Sequence, residues 1–234
     1  MDFDNRVVMV TGAAGALGRA VVAAFKDAGA RCALLDNNAD ALRAAFGENR
    51  ADQLAIAADL ADQAALQRAV DKALATFGRI DILCNIAGGF RMGTPVHDTP
   101  ADVWRLMIEL NAGSIIRMSH AVVPPMLAAG AGKIVNVAAM GGLKGGAAMG
   151  AYAASKSAVM RLTESMAAEL RDKNINVNCV MPSIIDTPAN RADMPKADPR
   201  KWVDPRALAD VILFLASDRA RAMHGAAVPV VGLS

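Results

Sequence analysis

The sequence predicts an α/β protein in which a doubly wound parallel sheet of about seven strands carries helices on both faces. Short apolar runs alternate along the chain with longer patterns of helical period, as expected for parallel strands joined by crossover helices. Hydrophobic residues make up 54% of the chain and aromatic ones only 4%, which favours closely packed helices on a sheet over a β-sandwich. The 234 residues suit one α/β unit, so we expect residues 1–234 to form a single domain.

The predicted strands are short runs of apolar residues. The series begins with "RVVMVT" and ends with "AAVPVVG", which contains Pro229 near its end. Uninterrupted apolar runs are typical of strands that are covered on both faces of a parallel sheet. In chain order the predicted strands are residues 6–11, 31–36, 52–60, 80–88, 133–139, 175–182 and 226–232.

The predicted helices lie between these runs. The first ends at Gly29, and a later one begins with Thr99 as N-cap and Pro100 in the first turn. One long irregular stretch, residues 183–204, is expected to be a substrate-binding loop, because a loop of this length in a compact domain is often functional. In chain order the predicted helices are residues 15–30, 62–77, 99–110, 112–129, 151–172 and 205–217.

Charge and hydropathy exclude several classes of protein. The formal net charge is +2 and acids and bases are interspersed, so there is no basic stripe for nucleic acid. No apolar run reaches the ~18 residues that suggest a membrane span. The start, "MDFDNRVVMV", is acidic and leads directly into a predicted strand, unlike a signal peptide. We expect a cytoplasmic protein that acts on a small molecule.

The cysteines and histidines predict no metal site. The cysteines lie in or beside apolar runs and form no C-x-x-C pair, which favours reduced core thiols in a cytosolic protein. The histidines are scattered along the chain, and we assign them structural or surface roles. These residues are Cys32, Cys84, Cys179, His97, His120 and His224.

The stretch "TGAAGALG" follows the first predicted strand and opens the first predicted helix. Glycines at 12, 15 and 18 let the backbone turn tightly and approach a pyrophosphate, and the helix N-terminus supplies free N–H groups. The alternative is a tight strand-to-helix turn with no ligand. The strand–turn–helix context favours a dinucleotide site in a Rossmann fold.

Asp36 ends the second predicted strand, eighteen residues after Gly18. A carboxylate there accepts hydrogen bonds from the ribose hydroxyls of NAD and repels a 2′-phosphate. Asn37 and Asn38 offer no cation for that phosphate, so we predict NAD(H) over NADP(H). The alternative is that Asp36 caps the helix that starts near residue 38.

Further cofactor contacts are expected where the third and fourth strands end, because ligands of open α/β sheets bind beyond the carboxyl ends of the strands. Asp59, in "ADL", can meet the adenine edge, and "NIAG" leaves room for the cofactor with small residues. The predicted cofactor-binding residues of this part of the chain are Gly12, Gly15, Leu17, Gly18, Asp36, Asp59, Leu60, Asn85, Ala87 and Gly88.

The chain contains one tyrosine, Tyr152, and Lys156 follows four positions later. Residues four apart share one face of a helix, so the ammonium is predicted to lower the pKa of the phenol. An unperturbed phenol titrates near pH ~10 and would be a slow acid–base group at neutral pH. The alternative is a surface pair on an alanine-rich helix.

"TGAAGALG", "NIAG", Asn111, "YAASK" and "PSIIDT" occur in the order and spacing of the short-chain dehydrogenase/reductase family, which the chain resembles over essentially its whole length. The resemblance implies an NAD(H)-dependent oxidoreductase with Tyr152 as the acid–base residue. Lys156 would also hold the nicotinamide ribose, and Asn111 would help a water relay. It further implies that Pro182, Ile185 and Thr187 border the nicotinamide and its phosphates. A homodimer or homotetramer would form through the helices 112–129 and 151–172.

The chain departs from the family pattern at three places. Ala16 stands at the second glycine position, and Ser183 follows Pro182 where glycine is usual. The family's catalytic serine lies thirteen residues before the tyrosine, and that position is Ala139 here, preceded by Ala138. Losing an oxyanion donor of this kind typically costs about 2.7–4 kcal/mol. The chain is therefore either a slow carbonyl reductase or acts on a substrate whose charge is delocalised.

Two alternative functions follow from the absent serine. "GALG", "CNIAGGF" and "DTPANRADMPKADPRKW" are similar to stretches of the quinonoid dihydropteridine reductases, which also lack the serine, so a quinonoid substrate is one alternative. A non-catalytic NAD-binding module is the other. The roles of some further residues are open at this point. Met92, Met140, Met149 and Met194 either line an apolar pocket or pack in the core, and Trp202 either closes over a flat ring or anchors the loop. Arg91 either meets an anionic substrate or is solvated.

Overall fold

The computed structural model describes residues 3–233, and it confirms the predicted doubly wound parallel sheet. All seven strands pair in parallel, in the spatial order 3-2-1-4-5-6-7. The strands are β1 (Val7–Thr11), β2 (Arg31–Asp36), β3 (Gln53–Ala57), β4 (Ile82–Asn85), β5 (Gly132–Val137), β6 (Ile175–Pro182) and β7 (Ala227–Val230).

Eight α-helices among the described residues surround this sheet. They are α1 (Ala16–Asp27), α2 (Ala39–Phe46), α3 (Gln63–Phe77), α4 (Ala101–Ile108), α5 (Ser114–Ala129), α6 (Gly150–Leu170), α7 (Pro188–Asp193) and α8 (Pro205–Ala216). A π-helical segment, Glu109–Gly113, joins α4 to α5 without a break. The two helices predicted at 99–110 and 112–129 are therefore parts of one continuous helical rod.

Alternate side chains of each strand enter two separate hydrophobic layers, as the twofold period of a strand requires. In β1, Val8 and Val10 pack into the layer that contains α1, α2 and α8. Val7 and Met9 pack into the layer that contains α3, α5 and α6. The near-continuous apolar sequence of the strands thus results from burial on both faces.

The strand order reverses at β1, which lies between β2 and β4. Ligands of open α/β sheets bind at such a reversal, beyond the carboxyl ends of the strands. Thr11 and Asn85 are register partners at the ends of β1 and β4. The segments that follow them leave the sheet side by side and form the crevice where the site is expected.

Two local predictions are corrected by the structure. Thr99 is not the N-cap of α4, because the residue before the helix is Pro100 and the Thr99 hydroxyl donates to the Pro95 carbonyl oxygen at 3.0 Å. Residues 183–204 are also more regular than predicted, since they contain α7 and a 3₁₀ turn, Pro199–Lys201. The ends of this loop are joined by a parallel bridge between Ile185 and Val203.

Within residues 3–233, no helix has the length and apolar character that a bilayer crossing requires. The cysteines Cys32, Cys84 and Cys179 are free and buried, as predicted for core thiols. No metal-ligand cluster occurs in the described part of the chain.

Candidate active site

Two of the three motif glycines are required by close backbone contacts. Gly12 has φ +63°, and a Cβ there would lie 2.8 Å from the Cα of Ala87. A Cβ at Gly18 would lie only 2.1 Å from the carbonyl oxygen of Gly12. A side chain at Gly12 would force the segments after β1 and β4 apart, and one at Gly18 would force α1 away from the glycine loop.

The N-terminus of α1 is available to an anion. Gly15 is its N-cap, no side chain caps the helix, and its first turn contains no acidic residue. A Cβ at Gly15 would meet only the Gly12 carbonyl oxygen, at 3.3 Å. The first backbone N–H groups of the helix have no intrahelical acceptor, so the end can bind a pyrophosphate. Leu17 is buried in the core, so only its backbone is available for such a contact.

Asp36 lies at the end of β2 beside this glycine loop. Its carboxylate accepts from the backbone N–H of Ala14 at 3.1 Å and from that of Asn38 at 3.2 Å. The helix α2 is instead capped by the Asn38 side chain, which accepts from Ala41. Asp36 is therefore no cap of α2, and the two bonds hold its carboxylate at the edge of the crevice.

Other predicted cofactor residues lie around the same edge. Asp59 is exposed and its carboxylate accepts from the backbone N–H of Ala61 at 2.8 Å. The Leu60 carbonyl accepts from Arg117 at 2.6 Å, and its side chain packs on the core. Both residues stand beyond the end of β3, and a contact of either with the cofactor stays a prediction.

The side chain of Asn85 belongs to the sheet and does not enter the crevice. Its amide donates to the Asn136 side chain at 2.8 Å, and Asn136 in turn donates to the Thr163 hydroxyl at 2.9 Å. The residue is only 4% exposed. The prediction of a cofactor contact by Asn85 is therefore corrected for its side chain, because pairing buried amides across β4, β5 and α6 satisfies them away from water.

The segment after β4 is fixed against β1 by Thr11. The Thr11 hydroxyl accepts from the backbone N–H groups of Ile86 at 3.1 Å and Ala87 at 3.2 Å. Gly88 follows on the exposed side of this turn. A Cβ at Gly88 would lie 2.8 Å from Asn111 Oδ1 and 3.2 Å from Lys156 Nζ. Gly88 is thus the point where two predicted catalytic residues meet the cofactor crevice.

Asn111 lies in the π-helical segment between α4 and α5, where it is buried. Its Oδ1 accepts from the backbone N–H of Gly89 at 3.0 Å, and its Nδ2 donates to the Gly89 carbonyl at 3.1 Å. Nδ2 also donates to the Ser155 hydroxyl at 3.0 Å. Asn111 therefore joins the segment after β4 to α6, and π-helical turns are frequent at functional sites.

Ser155 is a residue that sequence analysis missed. It is fully buried and its hydroxyl donates to the Tyr152 carbonyl at 2.8 Å while it accepts from Asn111. The only signal in the sequence was its place inside "YAASK", between two residues already singled out. Its contacts fix the first turn of α6 relative to Asn111.

Tyr152 lies on the first turn of α6, with Lys156 one turn further, as predicted. Its ring packs edge-on against Phe90, with 4.7 Å between centroids and 84° between planes. The predicted direction of its pKa is wrong in this structure, because burial raises the pKa of Tyr152 to about 12. Lys156 is not among the causes of that shift, since its ammonium donates to the Val137 carbonyl at 2.8 Å.

Lys156 is only 6% exposed, and burial lowers its pKa to about 8 from its ordinary value. A buried ammonium is costly unless it is hydrogen-bonded, and the acceptor of the Lys156 ammonium is the neutral carbonyl of Val137. The group is therefore poised to lose its proton only slightly above neutral pH, and a ligand with hydroxyl oxygens near Gly88 would supply further acceptors.

Ala139 begins the short 3₁₀ turn Met140–Gly142 after β5 and is 5% exposed. The turn lies against Tyr152, because a Cβ at Gly141 would be 3.3 Å from Tyr152 Cε1. It is also tied to α6 by the Ser157 hydroxyl, which donates to the Gly142 carbonyl. The turn that packs on the Tyr152 ring is thus preceded by a methyl group at position 139 and not by a hydroxyl.

The loop after β6 closes the other side of the crevice. The Ser183 backbone N–H donates to Val230, and its hydroxyl donates to the Val231 carbonyl at 2.8 Å. At the far end of the loop, the Leu233 N–H donates to the Lys201 carbonyl at 2.9 Å. Trp202 is 7% exposed, so it anchors the loop in the core and does not stand open over the crevice.

Pro182, Ile185 and Thr187 lie along the start of this loop. Pro182 is the last residue of β6, and the Ile185 carbonyl accepts from the Asn190 side chain at 2.8 Å. The Thr187 hydroxyl accepts from the backbone N–H of Asn190 at 3.1 Å and caps α7, which leaves its own proton free to donate. That these three residues border a nicotinamide and its phosphates stays a prediction.

These features fit a nicotinamide dinucleotide. The glycine loop and α1 present N–H groups to a pyrophosphate, Asp36 stands where an adenosine ribose would lie, and Gly88 leaves a path toward Lys156. The site and the fold together define an oxidoreductase that uses such a cofactor.

Comparisons with known proteins agree. A family model described as short chain dehydrogenase matches residues 6–198. D-threitol dehydrogenase of Mycolicibacterium smegmatis is 35% identical over 98% of this chain and 92% of its own length. Cis-4-hydroxycyclohexanecarboxylate dehydrogenase of Sinomonas cyclohexanicum is 33% identical over 98% and 96%. The solved structure of NAD⁺-bound xylitol dehydrogenase is 30% identical, with a TM-score of 0.92 over 99% of this chain and 100% of that one. The chain belongs to the short-chain dehydrogenase family.

A first prediction separates the glycines that shape the loop from the one that faces the ligand. We expect Gly18→Ala to lower the free energy of unfolding by about 1–3 kcal/mol or more, because its methyl group would overlap backbone. Gly15→Ala should change stability by no more than about 1 kcal/mol. It should weaken NADH binding about tenfold, since the added methyl points toward the pyrophosphate path.

Urea unfolding and fluorescence titration with NADH measure the two effects for both variants. Equal stability losses at 15 and 18, or unaltered NADH affinity in Gly15→Ala, would contradict the assigned geometry.

A second prediction concerns Lys156. Its pKa is lowered in the folded protein, so between about pH 8 and 10.5 the unfolded chain binds more protons and wild-type stability rises with pH. Lys156→Met removes this contribution. We expect the free energy of unfolding of wild type minus that of Lys156→Met to increase from about pH 7 to about pH 9.5. Urea unfolding of both proteins measures this difference. The cysteines and Tyr152 also titrate, but their contributions cancel because both proteins contain them. A difference in free energy of unfolding that decreases with pH would show that burial does not disfavour the ammonium.

Proposed function

We propose that the protein transfers a hydride between NAD(H) and a small alcohol or carbonyl compound, with Tyr152 exchanging the proton at the substrate oxygen. The observation that carries the proposal is the meeting of Asn111 and Lys156 at Gly88, beside the segment whose Phe90 packs on the Tyr152 ring. This contact supports a site in which an acid–base group and a cation lie next to the crevice that the glycine loop opens.

When bound, the nicotinamide ring supplies or accepts the hydride, and in its oxidised form it adds a positive charge. The residues of this chain then bind and orient it. The N–H groups of α1 hold the pyrophosphate, Asp36 accepts from the adenosine ribose, and Lys156 donates to the nicotinamide ribose. Thr187 donates to the phosphates, while Pro182 and Ile185 border the nicotinamide.

Tyr152 is suited to donate a proton in the direction of reduction. Burial keeps its phenol protonated at neutral pH. In the direction of oxidation the phenol has to accept a proton as phenolate, and a positive charge close to it favours that form. Lys156 provides this charge when its ammonium points toward the ribose and phenol instead of toward Val137.

Alanine at position 139 lowers the expected rate of the reaction, but the proposed acid–base residue Tyr152 is still present. In the family pattern the residue at this position donates to the substrate oxygen, and loss of such a donor costs about 10²–10³ in rate. Tyr152 retains its own O–H for the same oxygen. The quinonoid substrate and the non-catalytic module are not favoured, because the relatives are dehydrogenases whose names refer to simple alcohols and hydroxy acids.

We also propose that the protein is a homodimer or homotetramer and is cytoplasmic. Exposed large apolar side chains on α4 and α5 support association, and the buried free cysteines suit a reducing compartment. These apolar residues are Trp104, Leu106, Ile116 and Leu127.

The proposed chemistry is tested with Tyr152→Phe. We expect this variant to bind NADH with wild-type affinity and to lose at least about 10²-fold in kcat/KM on a panel of secondary alcohols and ketones. NADH absorbance measures turnover, and fluorescence titration measures binding. If Tyr152→Phe retained the turnover of wild type, the phenol would not be the acid–base group.

Ala139→Ser serves as the matched gain-of-function variant. Restoring a hydroxyl beside Tyr152 should raise kcat on simple ketones, because the developing oxyanion gains a donor. NADH binding without any turnover in wild type and in Ala139→Ser would instead favour a non-catalytic module.

The preference for NAD(H) is tested at Asp36. Wild type should bind NADPH at least about 100-fold more weakly than NADH, because a carboxylate would face the 2′-phosphate. The double change Asp36→Ser and Asn37→Arg should reduce the preference for NADH over NADPH at least tenfold, because it removes the repulsive carboxylate and adds a cation for the 2′-phosphate. Asp40→Ser, an exposed acid on α2, is the matched control and should leave the ratio as it is. Equal affinities of the wild-type protein for NADH and NADPH would contradict the proposed preference for NAD(H).

A further inference from the structure

A cavity of about 240 Å³ lies at the edge of the sheet opposite the cofactor crevice. It is placed at the amino ends of the strands, because Arg6 precedes β1, Asp81 precedes β4, and Lys133 is the second residue of β5. A site for one water needs only about 10–15 Å³. The cavity therefore has room for a small molecule, and its charged lining residues are Arg6, Asp81, Lys133 and Asp218.

Lys133 brings a buried positive charge to this cavity. The residue is 9% exposed, and its ammonium donates to Asn176 Oδ1 at 2.7 Å. That oxygen is held in place, because the Asn176 amide nitrogen donates to the carbonyls of Arg221 and Met223. Burial lowers the pKa of Lys133, and Asp218, 3.6 Å away, only partly opposes that shift. An ammonium has three N–H donors, so capacity remains for a ligand in the cavity.

The cations around the cavity outnumber the carboxylates that pair with them. Three cations share two carboxylates: Arg6, Arg79 and Lys133 with Asp81 and Asp218. The Asp81 carboxylate is largely taken up by Arg79, whose Nε donates to both of its oxygens at 2.9 Å, and it lies 3.7 Å from Arg6 Nη1. Asp218 is therefore left to pair with both Arg6 and Lys133.

Asp218 shows that one oxyanion can bridge these two cations. Its Oδ2 is 3.3 Å from Arg6 Nη2, and its Oδ1 is 3.6 Å from Lys133 Nζ. Both distances exceed the ~2.7–2.9 Å of charge-assisted hydrogen bonds, and the Asp218 side chain is 72% exposed. A free anion inside the cavity can approach both cations more closely than this tethered carboxylate, while Asp218 turns toward solvent.

We propose that this cavity binds a phosphate group, carried by inorganic phosphate or by a small phosphate ester, between Arg6 and Lys133. Once Asp218 has turned away, the two cations match the double negative charge of the phosphate, whose oxygens accept from both guanidinium and ammonium. The bound anion connects the segment before β1, strand β5 and the turn after α8, so it stabilises the folded protein. The inference does not depend on the proposed function, since neither cation belongs to the candidate active site.

The first test is thermal unfolding with about 10 mM sodium phosphate, compared with sodium chloride at the same ionic strength. If the dissociation constant is near 1 mM, phosphate should raise the unfolding midpoint of wild type by about 2–5 °C. Phosphate also stabilises proteins by exclusion from their surface, so the comparison includes Lys133→Met and Arg6→Gln, which should each lose most of the rise. NADH is present in one series, because the glycine loop is itself a candidate phosphate site.

Calorimetric titration with inorganic phosphate distinguishes ligand binding from a structural role of the same residues. Lys133→Met should bind phosphate at least about tenfold more weakly than wild type. Asp218→Asn should bind it at least about threefold more tightly, because the carboxylate that competes for the two cations is gone. Arg219→Gln is the control, since it removes an exposed arginine next to Asp218 but outside the cavity lining, and it should keep the wild-type affinity.

A parallel titration with glycerol 3-phosphate identifies the source of the phosphate group. Tighter binding of the ester than of inorganic phosphate supports a phosphate ester as the ligand, and equal or weaker binding supports the free anion.

Absence of saturable binding of both compounds, or a phosphate affinity that Lys133→Met leaves unaltered, would overturn the inference. Should Lys133→Met fail to fold, Arg6→Gln and Asp218→Asn decide the question. Weaker binding in Arg6→Gln together with tighter binding in Asp218→Asn supports the site, and wild-type affinity in both variants refutes it.

Discussion

The whole site depends on the close approach of two segments of the chain, the one that follows β1 and the one that follows β4. Gly12 lies against the backbone of Ala87 with no room for a Cβ, and the Thr11 hydroxyl holds two N–H groups of the neighbouring segment. This contact sets the glycine loop, which faces the cofactor, at a fixed distance from the turn that carries Gly88. Because α1 begins directly after the loop, the direction of its positive end follows from the same contact.

A second constraint joins that turn to the catalytic helix. Asn111 bonds both polar groups of Gly89 and the Ser155 hydroxyl, and Ser155 bonds the carbonyl of Tyr152. Three segments that are far apart in sequence are thereby connected through hydrogen-bonded polar groups. Such networks are costly when one member is missing, so they specify one arrangement of the site rather than merely adding stability.

The sequence was sufficient for the parts of the molecule that depend on local pattern. The parallel sheet follows from apolar runs that are covered on both faces, and Tyr152 and Lys156 share a face because they are four residues apart on a helix. The sequence could not predict which way Lys156 points. Its ammonium donates to the Val137 carbonyl at the end of β5, so the expected acidification of the phenol is absent and burial dominates both pKa values. Asn85 and Ser155 were misjudged or missed for the same reason, since their partners on β5 and near α4 are set by tertiary packing.

The loop that covers the crevice is restrained at both ends by the final strand region. Ser183 bonds Val230 and Val231, while Leu233 bonds the Lys201 carbonyl. Any opening motion is therefore confined to the middle of the loop, with stationary pivots on either side of α7. The edge strand β7 and the residues after it thus restrain both ends of the loop, and its remaining conformational freedom lies around α7.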